Sequence, residues 1–472
     1  MIQKNSFRDP HGKVFSHNGI VYRAVYHRYR DTYDALVGAG VFDTLISQQL
    51  LIPHQEVDPA QIGLAGYESS YKILQPVQLA FISQPQEWSF SMLQAAALTT
   101  LAVQRVALAH GFTLKDASAH NIQFYQGKAV LIDTLSLEKH EIGQAWPAYG
   151  QFCRHFIAPL CLSAFTDARL QQLFAIFPDG VPLDLATKLL PLRAKLRGRI
   201  LWHLVFHARA ERSAARKQLA RDRMGRSAPE RSPSTNRNFT VAFLQQLNES
   251  LAALVHQLRY RPTTDWSQYY QTEVGEAYLQ NKKTIVAAFL DKIAPSYVWD
   301  LGTNAGDFAK LAALRGIRTC AFDADHDSIE KLSRELAQAP AAPWAAHLQG
   351  YVIDLVNPSP DSGWGNAERQ AWLARPRPDT VLALALIHHL RISANVPLAE
   401  IIGFLVELAP QIIVEFVPKS DEKVQRLLQH KTDYYDDYTP ENFECLFAAR
   451  CQLIDKQTVH PTQRVVYVFA RK

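Results

Sequence analysis

The amino-acid sequence predicts an α/β fold for the C-terminal part of the chain, and three observations carry this prediction. The stretch 297–308 reads as a buried strand that turns through small residues into a helix. Further short apolar runs follow it. Three successive runs end in an aspartate, namely Asp300, Asp323 and Asp354. Because open α/β sheets bind their ligands at the carboxyl ends of their strands, the sequence predicts a doubly wound sheet with a ligand site at that edge.

The turn after the first strand has the pattern D-x-G-x-N-x-G over residues 300–306. Gly302 and Gly306 keep this turn free of side chains, so that a ligand can approach the backbone. A dinucleotide-binding turn normally reads G-x-G-x-x-G, whereas Asn304 stands here where the second glycine would fall. The pattern therefore indicates a nucleotide-like ligand without a pyrophosphate.

The other strands follow in order along the chain. The run 317–322 ends in Asp323, roughly 20 residues beyond the glycine turn, where a carboxylate can accept hydrogen bonds from ribose hydroxyls. The third run, 347–353, ends in Asp354, and the fourth, 380–387, ends in His388 and His389. The fifth to seventh strands are predicted at 412–417, 452–456 and 464–470.

These motifs, in this order, resemble the class I S-adenosylmethionine-dependent methyltransferases, and the resemblance covers about residues 262 to 472. It implies a Rossmann-like, seven-stranded sheet whose last strand is an antiparallel insertion. In that family the glycine turn passes under the methionine moiety, the acid after the second strand holds the ribose, and the acid after the third reaches the adenine amino group. The cofactor residues implied here are Asp300, Gly302, Asn304, Gly306, Asp323 and Asp354. Another Rossmann-like domain would also place glycines and acids at its strand ends, so that alternative stays open.

The resemblance also implies where catalysis takes place. His388 and His389 would face the sulfonium, where either could accept a proton from a hydroxyl or an amine. Glu415, in the fifth strand, could point at the same pocket; alternatively, the histidines only shape or position the substrate site. The chain lacks the Asn/Asp-Pro-Pro-Tyr/Phe signature of nucleobase methyltransferases after the fourth strand. The expected function is methyl transfer to an oxygen or nitrogen of a small molecule or a protein, with a nucleic-acid partner not expected.

Two aromatic segments flank the predicted sheet. Residues 265–270 are either a lid over the cofactor or a helix packed on the sheet. Residues 433–438 are either substrate contacts, suited to a cationic or polar molecule, or a solvated loop.

The N-terminal half is predicted to be an α+β domain, and it contains a second group of polar residues. An amphipathic helix over 91–111 is followed by a loop with Asp116 and Asn121, and Asp133 closes a later strand. A base and two metal ligands are what metal-assisted phosphoryl transfer requires. The arrangement resembles the protein-kinase-like and aminoglycoside-phosphotransferase-like fold over about residues 75 to 140. By that resemblance Asp116 would be the base, and Asn121 and Asp133 the magnesium ligands.

This second resemblance has clear departures. Leu114 and Lys115 replace the usual His-Arg, no glycine-rich phosphate loop precedes the strands, and Arg23 stands where a lysine is expected. The next helix, predicted over about 31–51, offers no glutamate to pair with Arg23. Three interpretations stay open: a kinase-like lobe kept for binding, a phosphotransferase whose C-terminal half senses S-adenosylmethionine, or a helical domain in which Asp116 and Asn121 cap turns. A scaffold of two degenerate enzyme folds is a further alternative.

Charge and composition bound the domain organisation. The chain has 472 residues, 47% of them hydrophobic, and a net charge of +5. Nine basic residues fall within 209–237 against three acids, and a turn-rich stretch covers 227–236. We therefore expect an N-terminal domain over 1–205, a basic linker with a connecting helix over 206–261, and the methyltransferase domain over 262–472. A nucleic-acid or anionic-membrane patch is the alternative interpretation of the basic segment.

The five cysteines form no C-x-x-C pair and are odd in number, which argues against a disulfide framework and a zinc site. The N-terminus has no apolar signal core, and no run is expected to reach the length of a membrane span. We therefore expect a cytoplasmic protein without a metal site.

Overall fold

The computed structural model describes residues 6–60, 63–64, 66–67, 70–223, 239–262 and 275–472. The chain divides into two compact units. The first comprises Met1–Arg261 together with Asp361–Gln370, and the second comprises Pro262–Pro360 and Ala371–Lys472. The short segment 361–370 therefore belongs to the first unit although the chain on both sides of it belongs to the second.

The first unit begins with a four-stranded antiparallel sheet. Its strands, in the spatial order β1-β2-β4-β3, are β1 (Gly12–His17), β2 (Ile20–Val25), β3 (His54–Val57) and β4 (Lys72–Pro76). Between β2 and β3 lie two helices, α1 (Arg30–Gly38) and α2 (Val41–Ser47). The single helix expected over 31–51 is therefore wrong, because Gly40 adopts a left-handed conformation with φ of 66° and interrupts it.

Helix α3 (Phe90–Ala109) begins at Ser89, whose Oγ accepts a hydrogen bond from the Met92 N–H. Among the described residues it is the one helix that is long and apolar enough, by length and composition, to cross a membrane. Of its most apolar 18-residue segment, 61% is buried inside the protein. The expectation that no run reaches such a length is wrong, although core helices pass the same test. After α3 come the paired strands β5 (Phe112–Leu114) and β8 (Leu137–Lys139), and between them the hairpin of β6 (Ile122–Tyr125) and β7 (Lys128–Leu131).

Between Tyr149 and Gln257, the described residues of the first unit are mainly helical, with π-helical turns at Cys153–Ile157 and Leu201–Phe206. The helices are α4 (Tyr149–Phe152), α5 (Ala158–Phe165), α6 (Leu173–Ile176), α7 (Leu183–Leu189), α8 (Leu192–Lys195), α9 (Gly198–Ile200), α10 (His207–Arg223) and α11 (Val241–Gln257). Helix α11 packs on α3, and its Asn248 Nδ2 donates to the Leu101 carbonyl at 2.9 Å. Helix α10 thus carries the first part of the predicted basic linker, α11 lies in its last part, and residues 224–238 between them lie outside the described residues.

The second unit contains a seven-stranded sheet. Its strands are β9 (Tyr297–Leu301), β10 (Arg318–Asp323), β11 (Leu348–Val352), β12 (Thr380–Ala383), β13 (Gln411–Phe416), β14 (Cys451–Thr458) and β15 (Val465–Arg471). The spatial order is β11-β10-β9-β12-β13-β15-β14, the first five are parallel, and β15 is antiparallel to both neighbours. The fourth strand is shorter than the expected 380–387, because the backbone turns at Ala385, whose φ is 54°.

Within the described residues 275–472, six α-helices accompany this sheet: α12 (Glu276–Ile293), α13 (Asp307–Ala313), α14 (His326–Gln338), α15 (Leu398–Leu408), α16 (Glu422–Leu428) and α17 (Pro440–Ala448). One buried cluster joins α12 to β9, β12 and β15 through Phe289, Val298, Leu382 and Val468. A second joins α13, β10 and α14. Apolar layers on the sheet thus hold the carboxyl ends of β9 to β12 at one edge.

Candidate functional site

A cleft of about 450 Å³ opens at the carboxyl ends of β9, β10, β11 and β12. The loops that follow these four strands supply its lining. Its polar side chains include Asn304, Asp323, Asp354 and His389, and the apolar ones include Ile353 and Leu386. Its size and its mixture of apolar walls with a few polar groups are typical of a small-molecule site.

The glycine turn forms one wall of the cleft. Gly302 has φ of 68°, and a Cβ built on it would lie 3.1 Å from Leu386 Cδ1, which shows how closely the backbone approaches the opposite wall. Gly306 plays a different part, since it does not line the cleft and a Cβ on it would lie 2.9 Å from Leu332 Cδ1. Gly306 therefore permits helix packing against Leu332, while its expected role beside the ligand stays a prediction.

Asp323 is fixed by the backbone on both sides. The Asn304 N–H donates to its Oδ2 at 2.8 Å, and the Asp325 N–H donates to its Oδ1 at 2.9 Å. Burial raises the pKa of the Asp323 carboxyl. Asp323 is therefore a rigidly held carboxyl group that lines the cleft.

The other two predicted acids differ from each other. Asp354 is exposed at the end of β11 and lines the cleft, and its Oδ1 accepts from the Val356 N–H at 2.9 Å. Asp300 is 2% exposed and does not line the cleft. Its Oδ2 accepts from Thr303 Oγ1 at 2.6 Å, and burial raises its pKa to about 7. Asp300 therefore shapes the turn from behind the cleft lining, and its expected role in cofactor binding stays a prediction.

The two histidines occupy different environments. His389 begins a π-helical turn, His389–Ser393, and lines the cleft, whereas His388 is fully buried. The two ring centroids are 4.3 Å apart, and neither ring nitrogen of His388 has a hydrogen-bond partner among the described residues. Burial lowers the pKa of both imidazoles, that of His388 well below its usual range. His389 is thus a neutral imidazole at the cleft near pH 7, and His388 belongs to the core behind it.

Glu415 lies outside the cleft, so the expectation that it points at the pocket is wrong. Its side chain and that of Lys282 are both 0% exposed, and Lys282 Nζ lies 2.5 Å from Glu415 Oε2. The Tyr278 hydroxyl donates to Glu415 Oε1 at 2.8 Å, and Arg464 Nη1 donates to the Tyr278 hydroxyl at 2.9 Å. Burial acts to lower the pKa of Lys282, but the facing carboxylate holds it above its ordinary value. Glu415 is therefore the anionic half of a buried ion pair between β13 and α12.

The aromatic, acidic segment 433–438 braces the turn that carries His389. Arg391 Nη2 donates to Asp437 Oδ1 at 2.7 Å, and the Arg391 guanidinium lies 4.6 Å from the centroid of the Tyr435 ring. The Tyr435 hydroxyl donates to Asn395 Oδ1 at 2.5 Å. None of the residues 433–438 lines the cleft; Asp433, Tyr434 and Asp436 are exposed, whereas Tyr435 and Asp437 hold the helical turn in place. The other predicted flank, 265–270, lies outside the described residues.

The first unit brings two of its three predicted site residues together. Asn121 Nδ2 donates to Ser136 Oγ at 3.3 Å, and that hydroxyl donates to Asp133 Oδ2 at 2.6 Å. Asp116 is held separately, since its Oδ1 accepts from Gln151 Nε2 at 2.7 Å.

An arginine engages the remaining oxygen of Asp133. Arg23 Nη2 lies 2.6 Å from Asp133 Oδ1 and 2.7 Å from Asp9 Oδ2. Asp9 and Ser136 were missed by the sequence reasoning, since neither lies in a periodic element or a recognisable motif. The cation that pairs with Asp133 is therefore the guanidinium of Arg23, a residue of the chain itself.

No family model matches the chain. Among solved structures, the N-methyltransferase NodS from Bradyrhizobium japonicum WM9 matches at 12% identity, 42% of this chain, 97% of that chain and a TM-score of 0.30. The magnesium protoporphyrin IX methyltransferase ChlM from Synechocystis PCC 6803, with bound SAH, matches at 16% identity, 44% of this chain, 92% of that chain and a TM-score of 0.33.

The fold assignment rests on the second unit itself. Its strand order, with an antiparallel β15 between β13 and β14, is that of the class I methyltransferases. Over the whole chain, the Nodulation protein NoeA from Rhizobium meliloti (strain 1021) is 32% identical over 472 residues, covering 99% of this chain and 95% of that protein. With a match of this identity along almost its entire length, the chain belongs to the NoeA family.

Proposed function

We propose that the protein is an S-adenosylmethionine-dependent methyltransferase that acts on an oxygen or nitrogen of a small molecule or a protein. The observation that carries this proposal is the meeting of the Gly302 turn, the rigid Asp323 carboxylate and Asp354 in one cleft of about 450 Å³. These groups come from three strand ends that are separated in the sequence. The related protein is named for nodulation, and we propose the same biological setting for this chain.

The described residues fit the cofactor. Because residue 302 is a glycine, a ligand can lie along the backbone at this position. Any side chain there would meet Leu386. Asp323 offers acceptor lone pairs for a pair of ribose hydroxyls, and Asp354 offers an acceptor for an exocyclic amino group. The apolar side chain of Ile353, between these acids, suits the face of a purine ring.

Methyl transfer requires mainly that the methyl donor and the attacking atom be correctly oriented. S-adenosylmethionine supplies a methyl group on a positively charged sulfur, and its displacement proceeds in line. His389 is the neutral imidazole at the cleft, and we assign to it the acceptance of a proton from the attacking hydroxyl or amine. Leu386 and Leu390 flank this position and limit access of water. His388 supports the ring of His389 from the core, at a centroid distance of 4.3 Å.

No phosphoryl transfer is proposed for the first unit. Asp133, the expected metal ligand, has one oxygen paired with Arg23 and the other bonded to Ser136. The base position, Asp116, is tied to Gln151. These contacts suit a binding lobe, and we propose that role for the first unit.

The experiment is calorimetric titration of the full chain with S-adenosylhomocysteine. Loss of a hydrogen-bonding carboxylate costs about 1.5–3 kcal/mol, so Asp323→Ala should weaken binding roughly tenfold to a hundredfold. Asp291→Asn is the matched control, since that carboxylate pairs with Arg315 on the surface of the same unit. Absence of binding by the unmodified protein would contradict the proposal, as would equal binding by the Asp323 variant.

A further inference from the structure

The helical part of the first unit presents large apolar side chains to solvent. Leu192 is 70% exposed, Leu196 is 66% exposed and Trp202 is 68% exposed. Single exposed leucines are ordinary on protein surfaces, but a group that includes a tryptophan is not. Three cations lie among them in the same stretch of the chain. We call these six residues the basic apolar face: Leu192, Leu196, Trp202, Lys195, Arg199 and Arg209.

The six residues of the basic apolar face line two clefts of the first unit, whose linings alternate along the chain between Leu192 and Arg209. Leu192, Lys195, Leu196 and Arg209 line a cleft of about 320 Å³ between α8 and α10. Arg199 and Trp202 line another of about 370 Å³, against α11. Each cleft combines apolar walls with cationic side chains.

The charge of this region is far from that of the chain as a whole. Residues 188–223 include 11 Lys and Arg against 2 acids, whereas the complete chain carries a net charge of only +5. Asp184 is shared between Lys188, at 3.7 Å, and Arg212, at 3.4 Å. Within the part of the chain that the structure describes, Lys195, Arg199 and Arg209 have no carboxylate within ion-pair distance. Their positive charge is therefore available to an anionic partner.

We propose that the basic apolar face binds the surface of a bilayer that contains anionic phospholipids. Cations attract the headgroups, and the leucines and the tryptophan insert at the boundary between headgroups and acyl chains, where indole rings are favoured. A nucleic acid would use cations with several stacking aromatics, whereas leucines gain nothing from a phosphodiester backbone. The binding is peripheral and involves no membrane-spanning segment. It does not depend on the proposed methyl transfer.

The test is co-sedimentation of the full chain with vesicles of phosphatidylcholine, alone or mixed with phosphatidylglycerol. The protein should bind only the mixed vesicles, and more weakly at high salt. The double variant Lys195→Gln/Arg199→Gln should bind about tenfold or more weakly, because each cation near the surface contributes to the attraction. Leu192→Ser/Leu196→Ser should lose the part of binding that survives high salt.

Matched controls come from the same unit. Ile142→Ser removes an apolar side chain that is 81% exposed elsewhere, and Arg28→Gln/Arg30→Gln removes two exposed cations from another surface. Both should bind as the unmodified protein does. Brominated lipids should quench the fluorescence of Trp202, and Trp202→Phe should lose that quenching.

Three outcomes would overturn the proposal. They are equal binding to neutral vesicles, equal losses in the control variants, and absence of vesicle binding by a folded protein. Retention of single-stranded RNA instead, abolished by Lys195→Gln/Arg199→Gln, would identify the face as a nucleic-acid surface.

Discussion

Replacing Lys282 by methionine tests the assignment of Glu415 to the core of the second unit. Both side chains are fully buried, so Lys282→Met leaves a carboxylate without its cation in a region that water does not reach. The Tyr278 hydroxyl still donates to Glu415, but a single neutral donor does not replace an ammonium group. Breaking one side of a buried ion pair costs about 3–5 kcal/mol of stability.

The double variant Lys282→Met/Glu415→Gln should recover most of this loss. The new amide keeps an acceptor for Tyr278 and carries no charge, and well-packed neutral replacements of buried pairs are often close to neutral in stability. Lys292→Met is the control, because Lys292 lies on the same helix, α12, in a half-exposed pair with Asp455. Its loss should cost less than about 1 kcal/mol.

The assay is urea unfolding of the full chain, in which the two units can give separate transitions. The transition that shifts upon addition of S-adenosylhomocysteine reports the second unit. A Glu415→Gln variant as stable as the unmodified protein would refute the structural role. If that variant also lost methyl transfer, Glu415 would have to act in the chemistry after all.

Three further predictions concern the cleft and its supports. Gly302→Ala should abolish S-adenosylhomocysteine binding in calorimetry, because a Cβ 3.1 Å from Leu386 narrows the cleft and a left-handed alanine costs about 1–2 kcal/mol; unchanged affinity would refute the close-approach argument. Asp437→Asn should speed amide hydrogen exchange in residues 389–395, while Asp433→Asn, in the same loop, should not. Asp300 has a folded pKa of about 7, above its unfolded value, so its contribution to stability is complete at low pH and is lost as pH rises through 7. Asp300→Asn should therefore flatten the dependence of unfolding free energy on pH between about pH 4 and 7. An unchanged dependence would refute the raised pKa of Asp300.

The sequence was sufficient to predict the strands of the second unit, because their signals are local. The glycine turn, the acid at Asp323 and the apolar runs each lie within a few residues, and the structure places strands at or near every predicted position. Asp323 and Asp354 could be expected in the cleft because carboxyl ends of parallel strands meet at one edge.

The differences between the predicted and the observed positions of the site residues have a common physical origin. A parallel strand is apolar on both faces, so its sequence does not show which face Glu415 occupies, and its partner Lys282 is 133 residues away in the chain. Of the two adjacent histidines, His389 lines the cleft and His388 is buried, a difference that their identical residue type does not show. The sequence around Gly306 would be the same whether a ligand or Leu332 occupied the space that a side chain at this position would fill.

Long-range contacts also explain what was missed in the first unit. The ion pairs of Arg23 with Asp133 and with Asp9 join three separate parts of the chain. The break between α1 and α2 is different, since Gly40 is a visible signal within the predicted helix and could have been used.

A crystal structure of the protein grown with S-adenosylhomocysteine would show directly whether the cleft of the second unit binds the methyl donor. We predict the adenosine in the cleft of the second unit, with ribose hydroxyls within hydrogen-bonding distance of Asp323 and the sulfur on the side of His389. A ligand bound elsewhere, or a cleft in which Asp323 makes no contact with it, would contradict the assignment of this cleft as the methyl-donor site.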